Sequence, residues 1–513
     1  MTSAVPLLPA PGSFVDRWRE RYAADPVLRR RYRWLVPTLI TLLAAALRVW
    51  NLGHPHTLVF DETYYVKDAW SQWNLGFAAA WPEGANELFA AGDTDIFLTE
   101  PSFVVHPPLG KYLIGAGMAI FGADSSFGWR IAAALAGTAC VLVLYVLAKA
   151  LTNSVAFAGV AAFLLAIDGI GIVLSRVALL DIFLTFFVLL AVWFMVLDRR
   201  RHLDRLAARV VALDGEPPRW GPVLWNRPWV IAAGAAAGAA TAVKWSGVWV
   251  IAAIGIYLAV TDALERRRLG ITMWPMDAVR QGLASFVLLV PVAFVVYLAS
   301  WTGWLVTDDG YGRHKTDNAL TSLWEYHITI YNSMATMDTP HGYMSPAWAW
   351  PFLWRPTSMH AASTADGEAG CASASGCLDV IYSMPNPLLW YAGVAATIWL
   401  AYRFVVARDW RHAVVLTGIA ATWLPWLIFP ERTTFQFYTV VLMPFLLLAL
   451  TFALREVSGA RHAPPERRLT GQRVVGVFLV FAVLLSAFWY PLWSGMQVPY
   501  EFYRMHNWLT GWV

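Results

Sequence analysis

Charge is scarce in this chain. Asp, Glu, Lys and Arg make up 14% of its 513 residues, where soluble proteins average about 25%. That shortage excludes an ordinary water-soluble domain, and nucleic acid is not expected among its partners. Cysteine is nearly absent, at three residues. Cys140 lies inside an apolar run and reads as a packed side chain. Cys371 and Cys377 bracket a short Ala/Ser/Gly loop. If that loop is extracytoplasmic, they are expected to form a small disulfide. Their spacing suits neither a zinc knuckle nor a CxxC redox site. No HxxxH or clustered His/Cys set occurs either, so neither a metal nor another cofactor is implied. A cleavable signal peptide is not evident. Residues 1–33 are rich in Pro, Ala and Arg without an apolar core, and are expected to form a cytoplasmic tail.

What the chain has in abundance is apolar length. Hydrophobic residues make up 58% of it and the mean hydropathy is +0.50. Several runs of about 20 residues are nearly uncharged, enough to cross a bilayer. The pattern predicts an all-α integral membrane protein of eleven spans. They fall at roughly 34–52, 130–149, 153–170, 178–197, 228–245, 247–262, 282–301, 387–403, 413–429, 436–454 and 474–493. The 29 Trp scatter near segment ends, as interface anchors would.

Lys and Arg set the orientation. With the N-terminus in the cytoplasm, most of the 38 basic residues fall on the tail and the inner connections, Arg199-Arg200-Arg201 and Arg266-Arg267-Arg268 among them. That is the positive-inside pattern, and it leaves the C-terminus outside a plasma membrane. Contact with anionic membrane lipids follows from the same clusters. The chain then divides into the tail 1–33, a membrane part 34–301 that includes an outer loop 53–129, a large outer loop 302–386, and the last spans with a short outer tail over 387–513. Neither an internal repeat nor a matched pair of interrupted spans, the marks of a transporter, is visible.

Polar residues gather on the outer face, above all between Phe60 and Lys111. The stretch opens with Phe60-Asp61-Glu62-Thr63-Tyr64-Tyr65 and closes with His106-Pro107-Pro108-Leu109-Gly110-Lys111. Ionisable groups kept at a membrane face are functional suspects. Asp61 and Glu62 could simply cap a helix over 63–73. The sharper alternative is a general base that takes the proton from a hydroxyl as it attacks an anomeric carbon. Adjacent carboxylates cannot easily flank a sugar on both sides, as a retaining double displacement needs. One base and an inverting displacement are therefore expected, with the other carboxylate orienting the base or binding a cation. Residues 109–121, reached through two prolines, are apolar but too short to span. They read as a helix along the membrane surface, with Lys111 near its start.

Six cations, Arg48, Lys111, Arg130, Arg176, Lys244 and Arg432, lie at or near outer span ends, with Asp181 nearby. Snorkelling explains any one of them. All six beside a carboxylate pair suit an anionic head group, and they could neutralise a phosphate leaving group without a metal. In the second outer loop, Trp324-Glu325-Tyr326-His327 and His341-Gly342-Tyr343 bring aromatics and histidines together, as interface anchors or as a substrate-facing wall.

These residues, in this order, resemble the protein O-mannosyltransferase family. The resemblance rests on Arg48 thirteen residues before Asp61-Glu62, HPPLGK over His106–Lys111, Arg130 at a span start, Ser175-Arg176 followed by Asp181, and Lys244-Trp245. It covers nearly the whole chain. It implies a GT-C fold and transfer of mannose, with inversion, from a polyprenyl-phosphate donor (dolichyl in eukaryotes) to Ser or Thr of a protein. It implies Asp61 as the catalytic base and Glu62 as its neighbour in acceptor-site geometry, with Arg48 and Arg130 essential. The donor's phosphate and sugar are then expected at Arg48, His106, Lys111, Arg130, Arg176, Asp181 and Lys244, with Tyr326, His327 and His341 as a wall. Eukaryotic members insert a β-trefoil-type MIR domain in the second large outer loop. Residues 355–386 offer only a short hairpin with two cysteines, which resembles the actinobacterial branch and implies a bacterial polyprenyl-phosphate-mannose donor. The expected acceptors are Ser/Thr-rich exported proteins emerging unfolded, with the Sec translocon as a partner. Two alternatives stand beside this reading. One is a polyprenyl-phosphate-sugar transferase acting on a lipid or glycan, and the other a transporter or flippase that forms no glycosyl bond.

Overall fold

The computed structural model describes residues 14–212, 218–460 and 463–512. The first thirteen residues of the expected tail lie outside the described residues. The rest of that tail is helical: α1 (Phe14–Ala24) and the opening turns of α2 (Pro26–Val49). Asp25 separates the two helices. Its side chain accepts from Val27 N and Leu28 N at 2.8 and 3.0 Å, and Pro26 follows it in the first turn of α2.

The first long loop carries α3 (Glu62–Leu75), α4 (Ala85–Ala90) and α5 (Leu109–Phe121). The bundle continues with α6 (Ser126–Thr152), α7 (Val155–Ala166), α8 (Gly169–Val173) and α9 (Asp181–Val211). Next come α10 (Pro228–Val243), α11 (Gly247–Arg268) and α12 (Trp274–Ser300). The second long loop holds α13 (Thr302–Val306), α14 (Ala319–Ala335), β1 (Thr357–Thr364) and β2 (Cys377–Ser383). The chain closes with α15 (Pro387–Ala407), α16 (Trp410–Trp423), α17 (Met443–Val457), α18 (Pro465–Ser494), β3 (Gln497–Pro499) and α19 (Tyr500–Arg504).

Seven helices among the described residues are long and apolar enough to cross a membrane: α2, α6, α9, α11, α12, α15 and α18. This is a multi-pass membrane protein. The other four expected segments fall on shorter helices, α7, α10, α16 and α17, of 12, 16, 14 and 15 residues. Small residues let α10 sit close to its neighbour. A Cβ at Gly234 would meet Leu289 O at 2.5 Å, and one at Gly238 would meet Ala293 O at 2.4 Å, so glycine is what allows α10 to lie against α12.

Every residue from 164 to 185 is buried, although the helix breaks there between α7 and α9. A buried break must satisfy its own backbone. Two side chains do this work. Asp168 accepts from Gly171 N at 3.2 Å and Asn386 N at 3.0 Å, and Arg48 donates to Leu165 O and Ala166 O at 3.2 and 3.1 Å. Toward the opposite end of the bundle, buried ion pairs join α9 to α12. Arg227 reaches Asp262 at 2.9 Å and also pairs with Asp198, while Arg266 pairs with Asp277.

The loop end departs from the all-α expectation. β1 pairs antiparallel with β2, and β3 adds to the other side of β2, in the order β1-β2-β3. The expected hairpin is thus two strands of a three-stranded sheet. Its third strand comes from the segment expected to be a short outer tail. Cys371 and Cys377 are joined by a disulfide with a 5.8 Å Cα–Cα separation, and Trp512 is 1% exposed with its indole donating to Leu353 O at 2.8 Å.

Candidate active site

The two adjacent carboxylates have opposite surroundings. Glu62 starts α3 and is fully buried. Its Oε1 receives Arg130 Nε at 2.8 Å and Ala178 N at 2.7 Å, and its Oε2 receives Arg130 Nη2 at 2.8 Å and Val59 N at 3.0 Å. Arg130 completes its own set on Pro55 O at 2.8 Å, Thr57 O at 2.9 Å and Leu52 O at 3.4 Å. Glu62 is thus the carboxylate that binds a cation, and both partners are saturated.

Asp61 is the opposite case. It occupies the N-cap position of α3, yet its side chain makes no capping bond. The alternative in which Asp61 merely caps a helix therefore has no bond behind it. Among the described residues Asp61 is in no ion pair of hydrogen-bonding length either. Burial pushes its carboxyl up to about 6; the charge of Lys244 opposes that rise, Asp181 adds to it, and Tyr65 stands beside it as a donor. Phe60, just before it, has φ +48°, a left-handed conformation uncommon for an aromatic residue.

Three of the expected phosphate ligands are engaged elsewhere in the protein. Arg48 donates to Ser175 Oγ at 3.2 Å and to carbonyls of α2 and α7, and is 1% exposed. Arg176 donates to the carbonyls of Arg48, Trp50 and Asn51, capping the C-terminus of α2, and to Ser494 O at the end of α18. Lys111, near the start of α5, lies 3.7 Å from Asp68 of α3 and is 1% exposed. α5 covers the expected residues 109–121, but its charge faces α3. With Arg130 on Glu62, none of these four cations lines the large cavity described next.

That cavity, of about 550 Å³, lies between the α10–α11 break, α12, α14 and the segment 425–438. Its body is apolar, with Val248, Trp249, Ile251, Val290, Ala293 and Phe294 among its walls. The ionisable and hydrogen-bonding side chains on it include His106, Lys244, His327, Arg432 and Tyr438, with Thr241, Ser246, Tyr297 and Tyr331 beside them. Lys244 Nζ is held at 2.9 Å from both oxygens of Asp181 and 4.6 Å from the Tyr438 ring centroid. Arg432 lies 5.2 Å from the Trp426 ring, and its Nε has no hydrogen-bond partner among the described residues. His106 is driven well below its usual range by burial and then by Lys244, Lys111 and Arg432, so it stands neutral. Burial likewise lowers His327, whose Nε2 lies 2.6 Å from the Tyr297 hydroxyl and whose ring stacks on Trp245.

Of the expected wall, His327 lines the cavity. His341 instead meets Phe60 edge-on at 5.9 Å. Tyr326 is 2% exposed, its hydroxyl donating to Val104 O at 2.9 Å and accepting from Val104 N at 3.0 Å, so it ties the two long loops together. Tyr65, Trp245, Tyr297 and Tyr438 were not among the expected site residues. Tyr438 sits where an ordinary span was expected, and no local signal separates it from other span aromatics. Arg432 was visible as a cation near an outer span end, but nothing in its neighbours sets it apart from the other five.

The dolichyl-phosphate-mannose-protein mannosyltransferase family model matches residues 38–304, and the model of the C-terminal four TMM region of protein-O-mannosyltransferase matches 319–512. The polyprenol-phosphate-mannose–protein mannosyltransferase of Mycobacterium tuberculosis is 32% identical over 505 residues, covering 94% of this chain and 93% of that protein. The protein of the same name from Corynebacterium glutamicum is 28% identical over 502 residues, again covering 94% and 93%. In fold, the chain is similar to the S. cerevisiae protein O-mannosyltransferase Pmt1-Pmt2 complex bound to the sugar donor. That match has a TM-score of 0.68 at 15% identity and covers 93% of this chain and 92% of the yeast chain.

Proposed function

The chain belongs to the dolichyl-phosphate-mannose-protein mannosyltransferase family, and on that premise we propose that it moves mannose from polyprenyl-phosphate-mannose to Ser and Thr hydroxyls of exported proteins. The reaction is a single inverting displacement at the outer face of the plasma membrane. One observation carries the reading. Asp61 is a carboxylate that caps no helix and, among the described residues, bonds to no cation, set near a lysine that borders an apolar cavity.

The chemistry follows from the two ends of that arrangement. The acceptor hydroxyl oxygen attacks the anomeric carbon while Asp61 takes its proton. The bond from that carbon to the phosphate oxygen breaks, and the polyprenyl phosphate leaves with one more negative charge than it carried as the diester. Lys244 and Arg432, at the cavity, would meet that growing charge. The apolar walls suit the first isoprene units of the donor. Glu62 and Arg130 touch neither reactant in this scheme; they lock the turn that carries Asp61.

All eleven apolar segments cross the membrane in this reading, with the N-terminus inside, as the bias of Lys and Arg supports. That orientation puts Asp61 where exported chains appear, and the Sec translocon would deliver them unfolded. The test is transfer of label from polyprenyl-phosphate-mannose to a Ser/Thr-rich peptide by purified protein, with the anomeric configuration of the product read by NMR. Labelled peptide of inverted configuration is expected. Retained configuration, or label on a lipid or glycan acceptor alone, would contradict the proposal.

A further inference from the structure

Phe60 is the residue in the Asp61 turn that the chemistry above does not use, and its setting is unusual. Its φ of +48° is a conformation that side chains with a Cβ rarely adopt. Such strain persists only where the surroundings hold it. Here three rings meet Phe60 edge-on: His341 at 5.9 Å, Phe435 at 5.8 Å and Phe437 at 5.6 Å. These rings come from two segments far away in sequence. His341 belongs to the second long loop; Phe435 and Phe437 belong to the segment that lines the cavity with Tyr438.

The two segments are joined to each other. Met344 and Phe435 form a β-bridge, and Ser345 N donates to Thr434 O at 2.8 Å. Phe437 also packs against Tyr438, 4.8 Å away and 86° inclined, and Tyr438 carries Lys244 over its ring. On its other side the turn is closed by Glu62, which reaches back to Val59 N. The Phe60 ring is thus seated in an aromatic socket, while the next residue along the chain is Asp61, the carboxylate with Tyr65 as a donor beside it.

We infer that Phe60 is a positioning residue for the transfer reaction. Its ring, gripped by His341, Phe435 and Phe437, holds the turn in the left-handed conformation that aims the Asp61 carboxylate. The inference rests on the proposed transferase reading and adds a second claim: the second long loop and the cavity-lining segment act on the base through one side chain. The groups that face Asp61 from neighbouring elements are Tyr65 of α3, Asp181 at the start of α9, Lys244 in the α10–α11 break and Tyr438. Loosening the socket lets water reach Asp61, so its proton affinity falls toward that of an ordinary carboxylate.

Phe60→Gly is the informative variant, because glycine accepts φ +48° at no steric cost while removing the ring. With purified full-length protein, the expected result is a turnover loss of about 10- to 100-fold, the size expected of a small misplacement of a reacting group. Donor affinity should stay within about twofold on the same argument that only aim is lost. The acid limb of the kcat/KM profile should move to lower pH. Phe60→Tyr, which keeps the ring, should restore turnover and the limb, and His341→Ala should move both in the same direction as Phe60→Gly but less. Wild-type turnover and an unmoved acid limb in Phe60→Gly would overturn the inference. So would parallel losses of melting temperature, donor affinity and turnover, which mark a merely structural role. A wild-type protein that transfers no mannose at all would instead overturn the proposed function, and the two failures are thereby told apart.

Discussion

Around the C-terminus of α2, Arg48, Arg130 and Arg176 bond to the protein's own carbonyls and to Glu62. Lys244 and Arg432 instead border a cavity, and the Nε of Arg432 has no hydrogen-bond partner among the described residues. The same contrast is repeated at the smallest scale in Asp61 and Glu62, neighbours in sequence with opposite partners. A buried charge whose hydrogen bonds are all made is a fixture, and removing its partner leaves the other charge stranded. Arg432 has a bond to spare at the cavity edge, and Lys244, though paired with Asp181, also borders the cavity. On the proposed function, the difference separates the residues that keep the site in shape from those that would act in it.

Breaking the fixture should have the largest effect on stability. Arg130→Ala strands Glu62 and is expected to cost about 3–5 kcal/mol, as for other buried pairs broken on one side. Thermal unfolding in detergent would read it, and the double variant Arg130→Met/Glu62→Gln should recover much of the loss. A single variant as stable as wild type would erase the distinction between the two regions. Next in size is Lys244→Met, expected to lower turnover by about 10²-fold through lost stabilisation of the leaving group. It also removes the cation that holds Asp61 down, so the acid limb of the pH profile should rise above its wild-type position. Adding Asp181→Asn relieves the stranded Asp181 and should restore stability without restoring transfer.

Arg432→Gln probes the cavity side alone. Donor affinity should fall by about tenfold, the worth of one charge-assisted hydrogen bond, with melting temperature unchanged. The smallest effect is the pH dependence of the wild type. The proposed base Asp61 can take a proton only when ionised, and burial pushes its carboxyl up to about 6. Activity should be full above that pH and fall as pH drops through it. A limb centred near pH 4, the ordinary carboxylate range, would mean that Asp61 is not desolvated as its surroundings indicate.

Much of the fold was legible because apolar length and helix signals are local. The expected helix over 109–121 is α5, and the expected helix over 63–73 lies within α3. β3 was not legible. It is three residues long, ends in proline, and gains strand character only by pairing with β2. The candidate site was half legible. Asp61, Lys244 and His106 stood out by type and place, but which cations were already committed could not be read. Arg48 meets its carbonyl partners more than a hundred residues along the chain, at Leu165 and Ala166, and Lys111 meets Asp68 only because α5 packs on α3. A charge is visible in a sequence, whereas the partner that uses it is a property of packing.

In the proposed mechanism Asp61 takes the proton while Glu62 holds the turn. That division is tested by donor affinity and single-turnover mannose transfer of Asp61→Asn, measured in one purified preparation. Donor binding should stay close to wild type while transfer slows by about 10²- to 10⁴-fold, the range for loss of a general base. Transfer near the wild-type rate, or donor binding lost in step with transfer, would contradict it.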